Sequence, residues 1–374
     1  MKQTHSKLRS PAIAACVIAF TLVITACAGT TTTDITKASE TTTASPATTP
    51  ATTELVTTVT DFVGEKEGGA VVLIVRDGVT STAAVGSANA FGGALDASTP
   101  FRVGSISKPL IATMVMQMVD EGSVSLDHAL ATYLPDTPVG ADVTIRSLLS
   151  HTSGLPNYTE RPGFFTDVLA EPERTYASEE VLAYVAEVPT DATGQFSYSN
   201  TNYILLGQLI EYVDGSSLND SLQNRVADPL GLDVMSFVGG AVTDPENLAG
   251  GWSQGISVGG TAAYESISSS AWAAGALVAT AEELQIFITA LFNGELISAA
   301  ALEKMTDTEA NGYGFGILAT ELGAGNPGFA HNGAIPGYSS MMGISPESGD
   351  VIVILTNNEA LIADLLAPEI LRDW

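Results

Sequence analysis

Strand-like segments near both chain ends, with helix-like segments between them, predict an α/β protein of the α+β kind. The expected architecture is one antiparallel sheet made from both chain ends, flanked by helices, with a helical lobe inserted. Three observations carry this. Residues 68–78, GGAVVLIVRDG, are an apolar run closed by an Asp-Gly turn, and 79–88, VTSTAAVGSA, read as the returning strand. The middle of the chain places apolar residues at helical spacing. Residues 338–345 and 350–356 read as two more strands around the turn formers Pro346 to Gly349.

The beginning of the chain is read as processing and tethering sequence. Lys2, Lys7 and Arg9 precede an apolar run from Ala12 to Ala26, too short to span a membrane, so residues 1–27 read as an export signal. Ile24-Thr25-Ala26-Cys27 resembles a bacterial lipobox, which implies a lipid on Cys27. Ordinary cleavage after Ala28 is the alternative, since Ala26-Cys27-Ala28 also fits a signal-peptidase site. Residues 28–58 are rich in Thr, Ser, Ala and Pro and read as a flexible stalk. The folded domain is expected over 59–374. These features place the protein outside the cytoplasm, either lipid-anchored at the outer face of the bacterial cytoplasmic membrane or secreted. The lipid would be its only link to a membrane.

Composition excludes several classes. Cys16 and Cys27 are the only cysteines, so the folded part holds no disulfide and no thiolate metal site. The formal charge of −28 repels polyanions and excludes nucleic acid as a partner.

Within the domain, Ile106, Leu110, Met114 and Met118 mark a helix over 105–121, with Pro109 tolerable only near its start. Residues 150–165 read as a loop, followed by helices at 178–187 and 201–213. Residues 228–268 are Gly-rich and poorly patterned. Thr280 to Glu283 form a capping box before a helix over 281–292, which Asn293-Gly294 ends. A strand is expected over 312–319 and a last helix over about 359–371.

Three short motifs could carry chemistry. Ser105 and Lys108 stand one helical turn apart at a helix N-terminus. The serine there would sit beside backbone N–H donors, and a desolvated lysine could take its proton. The pair also reads as an N-capping serine and a solvated lysine. Tyr198-Ser199-Asn200 opens a helix: Tyr198 could shuttle a proton and Asn200 hold a carbonyl, or Asn200 could simply cap. His331-Asn332-Gly333 sits among glycines, where backbone can approach a ligand. Of the other histidines, His5 lies in the signal, His128 lies in an ordinary helical or loop context, and His151 could simply bond backbone. Gly255-Ile-Ser257-Val-Gly259 matches a nucleophile elbow but lacks an evident strand before it and helix after it.

S-x-x-K, Y-S-N and H-x-G occur in that order. With FRVGSISK, LLSHTSGLPNY, YSNTNYILLGQLIE and AWAAGALVATAEEL, the sequence resembles the serine β-lactamase and penicillin-binding superfamily over essentially 60–374. The resemblance is to the branch holding class C β-lactamases, β-lactamase-like esterases and secreted actinomycete D-alanyl-D-alanine carboxypeptidases, nearest to the carboxypeptidases. It implies a β-lactamase-like fold, Ser105 as the acylated nucleophile and Lys108 as base working with Tyr198. It implies Asn200, His331, Asn332, Gly333 and Ala334 as substrate-binding, with the N–H groups of Ser105 and Ala334 as oxyanion hole. No metal or cofactor is implied. The substrate class is a small molecule or peptide, including a peptidoglycan stem peptide.

The match departs from the carboxypeptidase pattern at one place. Asn332 and Ala334 replace two threonines, and no Lys or Arg occurs from 305 to 371. A substrate carboxylate would meet only His331 as a possible cation, which moves weight toward esters and neutral amides. Three functions follow: a hydrolase of cell-wall peptide or a β-lactam, an esterase on small esters, and a non-catalytic cell-wall-binding module.

Overall fold

In β1 (Gly69–Arg76), GAVVLIVR, both faces carry apolar side chains because both are covered. The computed structural model describes residues 50–372 apart from 138, 139, 141, 187–192, 238–247, 254, 258–264 and 324. β1 returns through Asp77-Gly78, both with positive φ (50° and 74°), into β2 (Val79–Gly86). Such a turn matches the right-handed twist of the strands it joins.

The sheet is completed from the other end of the chain by β3 (Leu318–Glu321), β4 (Pro327–Ile335), β5 (Tyr338–Ser345) and β6 (Asp350–Thr356). Its order is β2-β1-β6-β5-β4-β3, every neighbour antiparallel. The first strand pairs with the last, Ala70 opposite Thr356. The expected sheet from both chain ends is the observed one.

Alternation divides the two faces. Val71, Leu73, Met342, Val351, Val353 and Leu355 face the large core under the helical part. Ala70, Val72, Ile352 and Ile354 face a second, smaller core. That core is closed by α1 (Pro50–Val63) and by the helix Ala363–Leu371. Leu55, Val59 and Val63 recur every fourth residue and are buried against the sheet. The stalk expected through residue 58 is therefore corrected at its end, since the helix starts at Pro50. The Thr-rich composition hid an apolar stripe. Residues 1–49, with the expected signal and Cys27, lie outside the described residues. Placing a carboxylate in this stripe tests its packing. Val59→Asp should cost about 3–5 kcal/mol of stability by leaving an uncompensated buried charge, read by urea unfolding.

The helical part is built on α2 (Ser107–Asp120), buried along most of its length. α3 (Asn200–Asp214) and α4 (Glu265–Gly275) pack around it. α5 (Ala281–Phe292) begins at the Thr280 capping box as expected. Two differences concern the sheet. The run 312–319 contributes only its last two residues, to β3. The segment carrying His331 is a nine-residue strand, which the sequence hides because Gly328 and Gly333 dilute its β-forming residues. The C-terminal helix, expected from about 359, is labelled α6 below (Ala363–Leu371).

Candidate active site

Ser105 is positioned by a single 3-10 turn, Gly104–Ile106, that runs into α2. Gly104 has φ +54°, and a Cβ there would lie 2.8 Å from the Ala334 nitrogen. A Cβ on Gly333 would lie 2.0 Å from the Val103 carbonyl oxygen and 3.1 Å from the Ser105 nitrogen. The two glycines thus let the turn press directly against β4. This brings the backbone of Ser105 and Ala334 together at the rim of one narrow pocket. Ser340 Oγ donates to the Val103 carbonyl (2.8 Å), and Ser107 Oγ donates to that of Gly104 (2.8 Å), locking the turn.

Lys108 follows on the first turn of α2 and is fully buried. Its Nζ lies 2.9 Å from Ser105 Oγ, 2.9 Å from Asn200 Oδ1 and 2.7 Å from the Ala274 carbonyl oxygen. Burial holds its pKa well below the usual lysine value. A neutral amine has two hydrogens and one lone pair. The Asn200 and Ala274 oxygens can only accept, so they take the two hydrogens and the lone pair is left for the Ser105 hydroxyl. The Ala274 carbonyl is presented by the end of α4, just after Trp272, whose backbone (φ 34°, ψ −124°) breaks the helix.

Tyr198 OH stands 3.0 Å from Ser105 Oγ on the other side. The Tyr198 ring faces Lys108 Nζ at 5.0 Å. Burial pushes its phenol up, the opposite direction to Lys108. Asn200 opens α3 with its N–H on Asn157 Oδ1 (3.1 Å) and its Nδ2 toward Thr159 Oγ1 (3.3 Å). Its side chain also lines the pocket.

β4 presents its residues alternately, and this sorts the H-x-G motif. His331 is buried on the inner face, with Nδ1 2.6 Å from the Asn332 carbonyl oxygen and Nε2 3.1 Å from Tyr313 OH. The carbonyl can only accept, so Nδ1 carries the proton and Nε2 accepts from Tyr313. Burial is the main cause that lowers the His331 pKa to about 3. The expected cation is therefore corrected: the imidazole is neutral and both nitrogens are engaged. Asn332 is corrected as well. Its side chain points to the opposite face, where Nδ2 donates to Asp364 on α6 (2.9 Å), and it does not line the pocket beside Ser105.

The low His331 pKa also sets a stability trend. In the unfolded chain the imidazole titrates near 6.5, so acid protonates the unfolded state first. Stability should fall as pH drops from about 6.5 toward 3, and His331→Gln should flatten that slope in urea unfolding.

The pocket beside Ser105 holds about 90 Å³ and is lined by Tyr158, Phe164, Phe165, Val168 and Ile267 among others. That is well under the roughly 300–1,000 Å³ of sites for drug-sized ligands, so it suits a small apolar group. A larger surface groove of about 560 Å³ around Gln117, Arg225 and Leu296 shares no residue with it. None of these pocket aromatics, nor Tyr313, was singled out from the sequence. Tyr158 closes the LLSHTSGLPNY motif without a role attached to it, and the GFF segment offers only a loop signature. Ser257 falls in a two-residue strand paired with Trp252–Ser253, and Gly259 lies outside the described residues. Among the described residues, no three His, Cys, Asp or Glu converge as metal ligands would.

A serine flanked by a buried lysine and a tyrosine, at the seam of an antiparallel sheet and a helical lobe, defines a β-lactamase-fold serine hydrolase. The chain belongs to the beta-lactamase family, whose family model matches residues 55–371. It is 31% identical to penicillin-binding protein 4 of Amycolatopsis lactamdurans, over 71% of this chain and 74% of that one. The Bacillus subtilis protein named "putative penicillin-binding protein PbpX" is 30% identical over 70% of this chain, and the match spans only 62% of its length. An esterase of Burkholderia gladioli is 32% identical over 48% of this chain and 49% of its own. Among solved structures, a D-stereospecific amidohydrolase from a Streptomyces species superposes with TM-score 0.74 at 28% identity, covering 85% of this chain and 97% of that one. D-amino acid amidase from Ochrobactrum anthropi gives 0.75 at 26%, covering 86% and 97%.

Proposed function

We propose that the protein hydrolyses small amides or esters through an acyl-enzyme on Ser105, with an apolar acyl side and an uncharged leaving side. The observation that carries this is Ser105 Oγ held between the Nζ of a buried Lys108, whose pKa burial lowers, and the hydroxyl of Tyr198, whose pKa burial raises. Lys108 Nζ takes the hydroxyl proton as Oγ bonds to the substrate carbonyl carbon. The oxyanion is received by the N–H groups of Ser105 and Ala334. Tyr198 gives its proton to the leaving nitrogen or oxygen as that bond breaks, and Lys108 returns a proton to Tyr198. Water then attacks the ester on Ser105 by the same route, releasing the acid.

The neutral His331 and the outward Asn332 support an uncharged leaving side. A carboxylate would lose charge-assisted bonds of about 1.5–3 kcal/mol each. The likeness to an amidohydrolase, an amidase and an esterase supports the same reading. The likeness to penicillin-binding proteins favours a second one, a peptidase on peptidoglycan stem peptides that recognises penicillin. Export and a lipid on Cys27 remain part of the proposal, and detergent-phase partitioning of wild type against Cys27→Ala tests them.

The deciding experiment follows intact mass and product for the full chain and for Ser105→Ala. Substrates are p-nitrophenyl butyrate, an aromatic D-amino acid amide and benzylpenicillin. Turnover of the first two by wild type alone supports the proposal. A persistent penicilloyl adduct on wild type without turnover of the neutral substrates would replace it with the peptidase reading. Inertness of wild type toward all three would leave the non-catalytic module.

A further inference from the structure

One buried imidazole is not used in the mechanism above, yet it grips the segment that carries Tyr198. His151 is fully buried and holds a left-handed backbone, φ 55°, uncommon for a residue with a side chain. Its carbonyl oxygen accepts from the N–H of Ser197 (2.8 Å). Its Nδ1 accepts from the N–H of Ser199 (3.1 Å) and lies 3.1 Å from Asn202 Nδ2. The two residues flanking Tyr198 are thus tied to one residue, through its main chain on one side and its ring on the other. The Tyr198 ring itself lies against the imidazole, centroids 4.2 Å apart and planes tilted 34°.

The donors fix the tautomer. A backbone N–H can only donate, so Nδ1 must be unprotonated and Nε2 must carry the hydrogen. Asn202 agrees: its Oδ1 accepts from Ser153 Oγ (2.6 Å), which leaves Nδ2 to donate to His151. Nε2 is buried with no hydrogen-bond partner among the described residues. It sits instead among the rings of Tyr203 and Tyr313, whose centroids lie 5.1 and 4.9 Å from that of the imidazole. A strained backbone and an unpartnered nitrogen are retained together, and what they obtain is a single acceptor aimed at the N–H after Tyr198.

We propose that His151, as its Nε2–H tautomer, is a positioning residue that sets the approach of the Tyr198 hydroxyl to Ser105. It rests on the reading of Ser105 as nucleophile. His151 does not line the acyl pocket, so its loss should act on the rate of acylation and not on substrate binding. Misplacing a catalytic hydroxyl by about 1 Å costs about 10²-fold in rate.

Two substitutions separate the parts of the device. His151→Phe keeps a ring and removes the acceptor. His151→Asn keeps an acceptor near the Nδ1 position and tolerates the left-handed backbone. Active sites are counted with a fluorophosphonate, so misfolded protein does not enter the rate constant. His151→Phe should lower the pre-steady-state acylation rate constant for p-nitrophenyl butyrate about 10²-fold with the substrate dissociation constant nearly unchanged, and His151→Asn should recover most of it. Long-range 1H–15N spectra of the full chain, with only four histidines, should show His151 as the Nε2–H form. A wild-type acylation rate constant in His151→Phe would overturn the proposal. So would an Nδ1–H tautomer, or an Asn variant no better than the Phe variant. The tautomer is read without turnover, and Ser105→Ala tests the nucleophile, so failure of one reading is distinguishable from failure of the other.

Discussion

Lys108→Met is expected to abolish acylation, about 10⁴-fold or more, while the chain still folds. Methionine nearly matches lysine in length and adds no charge to a fully buried position. What it removes is the lone pair facing Ser105 Oγ at 2.9 Å. Tyr198 cannot substitute, because burial raises its phenol and keeps the proton on it. The pH profile of wild type carries the same signature. Acylation should rise with pH through the lowered pKa of Lys108 and then stay level to beyond the usual tyrosine range. Stability should follow Lys108 too. Its folded pKa lies below its unfolded one, so between the two the unfolded state binds more protons and stability increases with pH. Lys108→Met should remove that alkaline slope. Burst kinetics with a p-nitrophenyl ester and urea unfolding across pH check both. Fast acylation in the Met variant would sink the assignment of Lys108 as base.

Gly333→Ala should be nearly as damaging, for steric reasons alone. Its Cβ would meet the Val103 carbonyl oxygen at 2.0 Å and Ser340 Oγ at 2.4 Å, so β4 must move away from the turn that carries Ser105. The next residue, Ala334, supplies one of the two proposed oxyanion donors. Overpacking of this kind costs about 1–3 kcal/mol of stability. Displacing one donor costs about 10²–10³-fold in acylation. Calorimetry and the burst rate measure the two effects separately. Adding Ser340→Ala should relieve the hydroxyl contact but leave the Val103 one, so the double variant should remain slow. A Gly333→Ala protein acylating at the wild-type rate would mean that β4 and the turn do not abut as described.

The parts of the site legible in the sequence are those whose spacing is local. Ser105 and Lys108 share a helical turn, and Tyr198 with Asn200 open a helix. Either pair could be read without knowing its neighbours, and the order of motifs did the rest. His331 was found by the same route, but its state was not. A lone histidine in a cation-poor stretch looks like the available positive charge, and only the burial around it and the Tyr313 hydroxyl show that it is neutral. Asn332 failed for a related reason, since its strand was unrecognised and the face of its side chain could not be assigned. His151 looked like a histidine bonding backbone, which it is. That the backbone in question flanks Tyr198 is tertiary information. The stripe of Leu55, Val59 and Val63 was readable in principle, but the threonines around it outweighed it.

The joining of first strand to last has a consequence for how activity arises. Gly69 N–H bonds Asn357 Oδ1 across 288 residues, and β6 holds both β1 and β5 in place. Contacts this distant in sequence are slow to form. β5 and β6 also back the strand that carries Ala334, so the proposed nucleophile is made early in synthesis and the proposed oxyanion donor close to the end. A chain still being made holds Ser105 without the strand proposed to make it reactive. Competence comes as one late event, when the tail closes against the head, and any product of premature termination before β6 is inert.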